Sequence, residues 1–196
     1  CALPLYSAAC HAPYLAADPD KTRQFREVYL EHAKRHARTT LIGLAWHTTN
    51  PDVGFTRNLT LDELQPLLSL SGIQFVSLQY GQHAEEIAAC NRRNKDIIFQ
   101  DTTVDSFDDI DGLAAQMAAM DEIITIDNAT VHLSGALGIP TSILLPSIPD
   151  WRWGLTRTDC RWYKSVSLDR QEALGKWRPV IKRVRSRLNS NSGTAA

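Results

Sequence analysis

The chain has 196 residues, 43% hydrophobic and 22% charged, the balance of a globular protein with room for one sizeable domain. A net charge of −1, with both signs spread along the chain, excludes a globally basic partner for nucleic acid or anionic membranes. No apolar run approaches the roughly 20 residues that span a bilayer, and four scattered cysteines without a CxxC pair exclude a clustered zinc site or a dense disulfide framework and suit the cytoplasm.

The chain opens on Cys1 and carries no methionine before Met117, as expected of a piece cut from a longer polypeptide. Residues 1–17 are rich in Ala and Pro without a period and read as a surface-hugging arm. From Asp18 to about Arg38 the pattern turns helical: Phe25, Val28 and Tyr29 fall at i, i+3 and i+4, and Pro19 suits a first turn. Residues 1–40 are thus expected to be an N-terminal arm and helix. Leu41–Trp46 is then a short apolar run without alternation, as in a strand buried on both faces, and similar runs follow at Ile73–Leu78, Ile97–Phe99, Ile123–Ile126 and Thr141–Leu145.

Helical stretches separate these runs. Thr60 and Glu63 form a capping box with Leu59 and Leu64 as its staple, and Pro66 should kink or shorten the helix that follows. Ile110, Leu113, Ala114 and Met117 make a second stripe behind Asp108, Asp109 and Asp111, whose acids suit a first turn. A third helix is predicted from about Ala129 to Leu137, stopped by Gly138 and Pro140, and a last one from Trp177 to Leu188. Strand alternating with helix predicts an α/β fold, a Rossmann-like three-layer sandwich with a parallel sheet over residues 41–188. Residues 189–196 are small and polar and predict a disordered tail. The run from Lys176 to Arg187 holds six basic residues and no acid; it reads as a solvated helix face, with a phosphate-binding face as the alternative.

In an open parallel sheet, ligands bind beyond the carboxyl ends of the strands. The sharpest candidate there is the stretch from Asp127 to Thr141, where a strand feeds directly into a helix that begins with small residues. The free amides of such a helix form an anion site, Ala129 and Thr130 allow close approach, and His132 lies one turn in. An ordinary strand-to-helix turn, with Asn128 as cap and His132 as a bracing group, fits the same residues.

The stretch resembles the D-[TS]-[GA]-x-x-H-L-[AS]-x-A-L-G-x-P-[TV] signature of the ADP-heptose:lipopolysaccharide heptosyltransferases, glycosyltransferase family 9. It is closer still to the related domains that follow tetratricopeptide repeats in bacterial proteins. The likeness extends to Gly43–Trp46, Arg57-Asn58-Leu59, Phe75–Gln79, Pro149–Trp153, Arg157, Asp159, Trp162-Tyr163 and Leu168–Gln171, and covers nearly all of residues 10–188.

The resemblance implies a GT-B fold, two Rossmann-like domains facing across a cleft, with this chain as the C-terminal half that holds the nucleotide sugar. By the same resemblance Asp127, Asn128, Ala129, Thr130 and His132 hold the donor diphosphate, and Arg57 helps to neutralise it. His47, Thr48 and Asn50 line the cleft beside the sugar, with Gln79 on the same edge. Asn128 departs from the usual Thr or Ser, and His47-Thr48-Thr49 stands where small residues are commoner. Trp151 and Arg152 suit a stacking platform, whereas Trp153 reads as a wedge between loop and sheet.

Asp109-Ile110-Asp111 is formally a DxD metal motif but lies where acids simply suit a helix start. Asp101 and Asp105 are candidates for ribose contacts. His11, His32, His36 and His83 lack partner spacing and read as surface groups, and Cys90 and Cys160 as packing residues. The expected function is donor binding in a glycosyltransferase acting on a protein or glycan acceptor, with the general base supplied by the missing N-terminal domain. No metal or cofactor is expected beyond the nucleotide-diphosphate sugar itself, the donor substrate. The alternatives are an inactive GT-B-like binding or regulatory module and a sugar-nucleotide epimerase.

Overall fold

The computed structural model describes residues 12–192. Cys1 and His11, named above, lie outside the described residues. Six strands form one sheet: β1 (Thr40–Ala45), β2 (Ile73–Ser77), β3 (Ile98–Phe99), β4 (Glu122–Ile126), β5 (Thr141–Leu145) and β6 (Val166–Arg170). Every pairing is parallel and the order is β3-β2-β1-β4-β5-β6. The chain therefore runs outward from β1 to one edge, returns to the centre and runs outward again from β4. The crevice at the carboxyl ends of β1 and β4 is the topological switch point.

The helices are α1 (Pro19–Lys34), α2 (Pro51–Arg57), α3 (Gln65–Leu68), α4 (Ala84–Asn94), α5 (Ile110–Ala118), α6 (Ala129–Leu137) and α7 (Trp177–Ser192). One face of the sheet packs Ile42, Leu44, Phe75, Ile124 and Ile126 against residues of α3, α4 and α7. The other packs Leu41, Ala45, Val76 and Ile123 against α1, α5 and α6. This is the expected three-layer sandwich. Consecutive strand residues face opposite layers and both layers are apolar, so the strands show continuous runs rather than alternation. Each fully buried Leu, Ile or Phe contributes about 1.5–3 kcal/mol from leaving water.

Local signals explain most boundaries. Asp18 accepts from the Asp20 and Lys21 amides at 2.9 Å and starts α1 at Pro19. The capping box closes as expected: Glu63 Oε2 accepts from the Thr60 amide at 2.9 Å, and Thr60 Oγ1 from the Glu63 amide at 3.2 Å. Pro66 then confines α3 to four residues, with the proline in its first turn. The arm hugs the surface where it is described, the Tyr14 and Leu15 amides donating to the Ala136 carbonyl. Arg38 is buried and donates to Gln74 and to the carbonyls of Lys95 and Asp96, closing the left-handed turn after α4.

Three elements were not anticipated. β6, at the sheet edge, exposes Ser167 and buries the charged Asp169, α2 has only seven residues, and α4 buries only Ile87 and Cys90. The last helix continues through Ser192, so residues 189–192 are helical rather than a tail, and 193–196 lie outside the described residues. Among the described residues no helix is long and apolar enough to cross a membrane.

Candidate functional site

The wall of the crevice above β1 is the segment from Trp46 to Asn50, which has no regular structure and is held by side chains. Gln79, just past β2, uses its whole amide: Oε1 accepts from the Trp46 and His47 amides at 2.9 Å, and Nε2 donates to the His47 carbonyl at 3.0 Å and the Tyr80 carbonyl at 2.9 Å. Gln79 was expected to face ligand; with its capacity filled, it positions the loop instead. Asn58 performs the same service from below, accepting from the Thr48 amide at 2.7 Å and donating to the Thr48 carbonyl at 3.1 Å.

Thr48 is correspondingly only 7% exposed, with Oγ1 against the Tyr80 hydroxyl at 3.2 Å, so it is buried and does not line a cleft. Asn50 is exposed and caps α2, accepting from the Asp52 amide at 3.0 Å. His47 is half-buried, and its Nδ1 is buried without a hydrogen-bond partner. Burial, with His83 nearby, pushes its pKa below the usual imidazole value. His83 is no surface group: its ring packs edge-on to Trp46 and lies 4.9 Å from the His47 ring, and Nδ1 is 3.4 Å from Glu86. Glu86 in turn accepts from the Trp46 indole at 3.0 Å and the Leu61 amide at 2.9 Å.

Arg57, at the end of α2, reaches across the crevice to the end of β4. Its Nη1 donates to the Asp127 carbonyl at 3.0 Å, and Nη2 lies 3.1 Å from Asp127 Oδ2 as an ion pair without an aligned hydrogen bond. The two side chains are 17% and 6% exposed. Thus the predicted cation and the predicted acid of the motif are brought together, and each occupies the other. Next in the chain, Asn128 Oδ1 accepts from the Thr130 amide and Thr125 Oγ1, both at 3.0 Å, which makes it the cap of α6. Its Nδ2 is buried without a partner. The expectation that this amide donates to phosphate meets that burial. Ala129 is exposed, Thr130 is buried, and α6 ends at Gly138 with φ 75°, as its sequence predicts.

His132 stacks on Trp153 with ring centroids 5.4 Å apart, and its Nδ1 is 3.1 Å from the Tyr163 hydroxyl. Burial holds its pKa below the ordinary value, against the pull of Asp127. Trp153 is 2% exposed and is the expected wedge, whereas Trp151 is 68% exposed with the Arg152 guanidinium 5.2 Å from its ring centroid. Arg152 also pairs with Asp150 at 2.8 Å. Burial pushes the Asp150 carboxyl up, but the amide and guanidinium of Arg152 outweigh it and hold it below its usual range.

The remaining candidates have local duties. Asp101 accepts from Tyr29 at 2.6 Å and from Thr103, and Asp105 caps the Phe107 and Asp108 amides. Both border a cleft of about 360 Å³ beyond β2 and β3. Asp109 caps α5 through the Gly112 amide at 2.8 Å, and no group of three or more His, Cys, Asp or Glu among the described residues is placed to hold a metal. His32 and His36 are half-buried against each other, with His32 edge-on to Phe99, rather than free on the surface. Cys90 and Cys160 are buried. Asn58, Glu86, Asp150 and Tyr163 shape the site without having been singled out for it; Asn58 and Asp150 stand next to the predicted Arg57 and Trp151, whereas Glu86 and Tyr163 come in from distant segments of the chain.

No family model matches the chain. Over 148 residues, 75% of the chain, it is 34% identical to Protein FlbA of Caulobacter vibrioides, and it covers 24% of that protein. Its fold matches the glycosyl transferase family 9 structure from Veillonella parvula DSM 2008 (TM-score 0.60, 14% identity, 90% of this chain and 53% of that one). It also matches E. coli ADP-heptose lps heptosyltransferase II (TM-score 0.61, 17% identity, 91% and 53%). E. coli heptosyltransferase WaaC, solved with ADP-2-deoxy-2-fluoro heptose, matches at a TM-score of 0.56 and 15% identity (85% and 47%). The chain thus spans about half the length of these glycosyltransferases and resembles them in fold.

Proposed function

We propose that the chain is the C-terminal, donor-holding half of a glycosyltransferase, with the diphosphate of a nucleotide sugar in the crevice between β1 and β4. The observation that carries the reading is Arg57, which spans the switch point directly in front of the opening turn of α6. A diphosphate entering there would take over one edge of the guanidinium and meet the first amides of the helix. The same groups would stabilise charge developing on the leaving diphosphate, an electrostatic contribution made by preorganised donors. Trp151 and Arg152 offer an exposed platform beside it.

Phe55, Phe107, Ile148, Trp151 and Leu155 are all more than half exposed, in segments that follow the carboxyl ends of the strands. Such an apolar rim suits an opposing N-terminal domain that would supply the general base and the acceptor, a protein or a glycan. A tetratricopeptide array ahead of it and a cytoplasmic location belong to the same proposal, as does transfer without a metal.

The test adds ADP-, GDP-, UDP- and CMP-sugars to the chain and follows its melting temperature. One of them should stabilise it, by about 2.7 kcal/mol at a hundred times Kd, and Arg57→Gln should abolish the shift. Stabilisation by none at millimolar concentration favours a second reading, a binding module without transfer. That reading has its own support: Asn128 Oδ1 is taken up in capping while its Nδ2 is buried, and both Arg57 and Arg152 are already paired with acids.

A further inference from the structure

The basic run of α7 does not simply face solvent. Val180, Ile181, Val184 and Leu188 bury one side of the helix, and Arg183 and Arg187 turn toward the carboxyl end of β6. There they border a cleft of about 910 Å³, also lined by Arg157, Arg170, Gln171 and Leu155. The cleft lies beside β6, the edge strand two places from β4, and reaches back to Ser147 after β5.

Four arginines line this cleft against two acids, Asp169 and Glu172. Arg187 pairs with Asp169 at 3.0 Å, while Arg183 is only loosely paired with Glu172 at 3.8 Å and donates to the Arg170 carbonyl at 2.6 Å. Arg157 pairs with Asp159, which is itself mostly exposed. Arg170 has carbonyl oxygens, of Trp153 and Arg157, as its acceptors and no carboxylate among the described residues. Its Nη1 is buried without a partner, as is Nε2 of Gln171, a side chain only 2% exposed. A guanidinium partly withdrawn from water with no counter-ion is costly unless an anion completes it. Burial does lower its proton affinity.

We propose that this cleft is a second anion site, separate from the donor crevice, which takes a phosphorylated small molecule. Arg157 and Arg183, with side chains 40% and 44% exposed, grip the phosphate from two sides, and Arg170 forms the floor. Leu155, 67% exposed, offers apolar contact to the organic body of the ligand, and the volume is that of a small-molecule pocket.

The test is calorimetric titration of the whole chain with inorganic pyrophosphate at low salt. An Arg157→Gln/Arg183→Gln double variant should lose one binding event, weakened at least about tenfold, while keeping its melting temperature. Arg57→Gln should retain that event. Failure of the donor reading alone would leave a single event, insensitive to Arg57 and lost in the double variant. Should the double variant not fold, Arg183→Gln alone should weaken the same event. An isotherm unchanged in these variants, or no binding up to about 10 mM, overturns the proposal.

Discussion

Removing Arg57 should cost far more than removing the charge of Asp127, although the two form one ion pair. At 3.1 Å and an effective dielectric constant of about 20, the attraction is about 5 kcal/mol gross. Desolvation of two side chains that are 17% and 6% exposed offsets most of it. The single variants do not share what remains equally. Arg57→Met leaves a buried carboxylate with no cation and frees the Asp127 carbonyl, a loss of about 3–5 kcal/mol. Asp127→Asn leaves Arg57 its carbonyl contact at 3.0 Å and a partly exposed head, so the loss should be about 1–2 kcal/mol. The double variant should cost less than the sum by about 2 kcal/mol. Urea unfolding of the four proteins at neutral pH measures the cycle. Equal single costs, or additivity within about 0.5 kcal/mol, would refute the account of a pair held by its buried acid.

Asn128→Ala should cost about 1–2 kcal/mol for the lost cap, whereas Asn128→Ser should be close to neutral in thermal unfolding, because a hydroxyl caps the helix and leaves no buried amide hydrogen unpaired. Gly135→Ala should destabilise by about 1–3 kcal/mol despite the better helix propensity of alanine, since its Cβ would run into the Tyr163 ring; a stabilised variant would show that the ring yields. The pKa of His132 is lowered on folding, so the unfolded chain binds its proton more readily. Its contribution is present above about pH 6.5 and is lost as pH falls below that value. Urea unfolding near pH 5 and pH 7.5 should therefore show a smaller pH dependence in His132→Gln than in the unaltered chain, and an equal slope would contradict the assignment.

The central strands were legible because burial on both faces writes continuous apolar runs, and β2 and β5 begin where their runs begin. α6 was legible at both ends, through Asn128 and Gly138. β6 was hidden because an edge strand exposes Ser167 and carries Asp169 and Arg170, a pattern that reads as loop. α4 was hidden because a helix burying only Ile87 and Cys90 has little apolar stripe to show. Within the site, the resemblance put Arg57 and Asp127 each at the donor diphosphate, but their pairing with one another was not expected, since contact across a crevice depends on where α2 ends. Gln79 was misjudged for a related reason: its place on the correct edge was visible, whereas its four hydrogen bonds depend on the path of a neighbouring loop. The basic run of α7 divided, part of it remaining in solvent and part turning inward, which residue type alone does not reveal.

The saturated amide of Gln79 has a consequence for how this crevice would change over generations. It welds the tip of one strand to the loop leaving its neighbour, so that loop keeps its path whatever stands at its margin. Residues outside the weld, such as Thr49, Asn50 and Phe55, are exposed and can be exchanged without disturbing it. Selectivity can then drift through the margin while the seat beneath it stays the same shape.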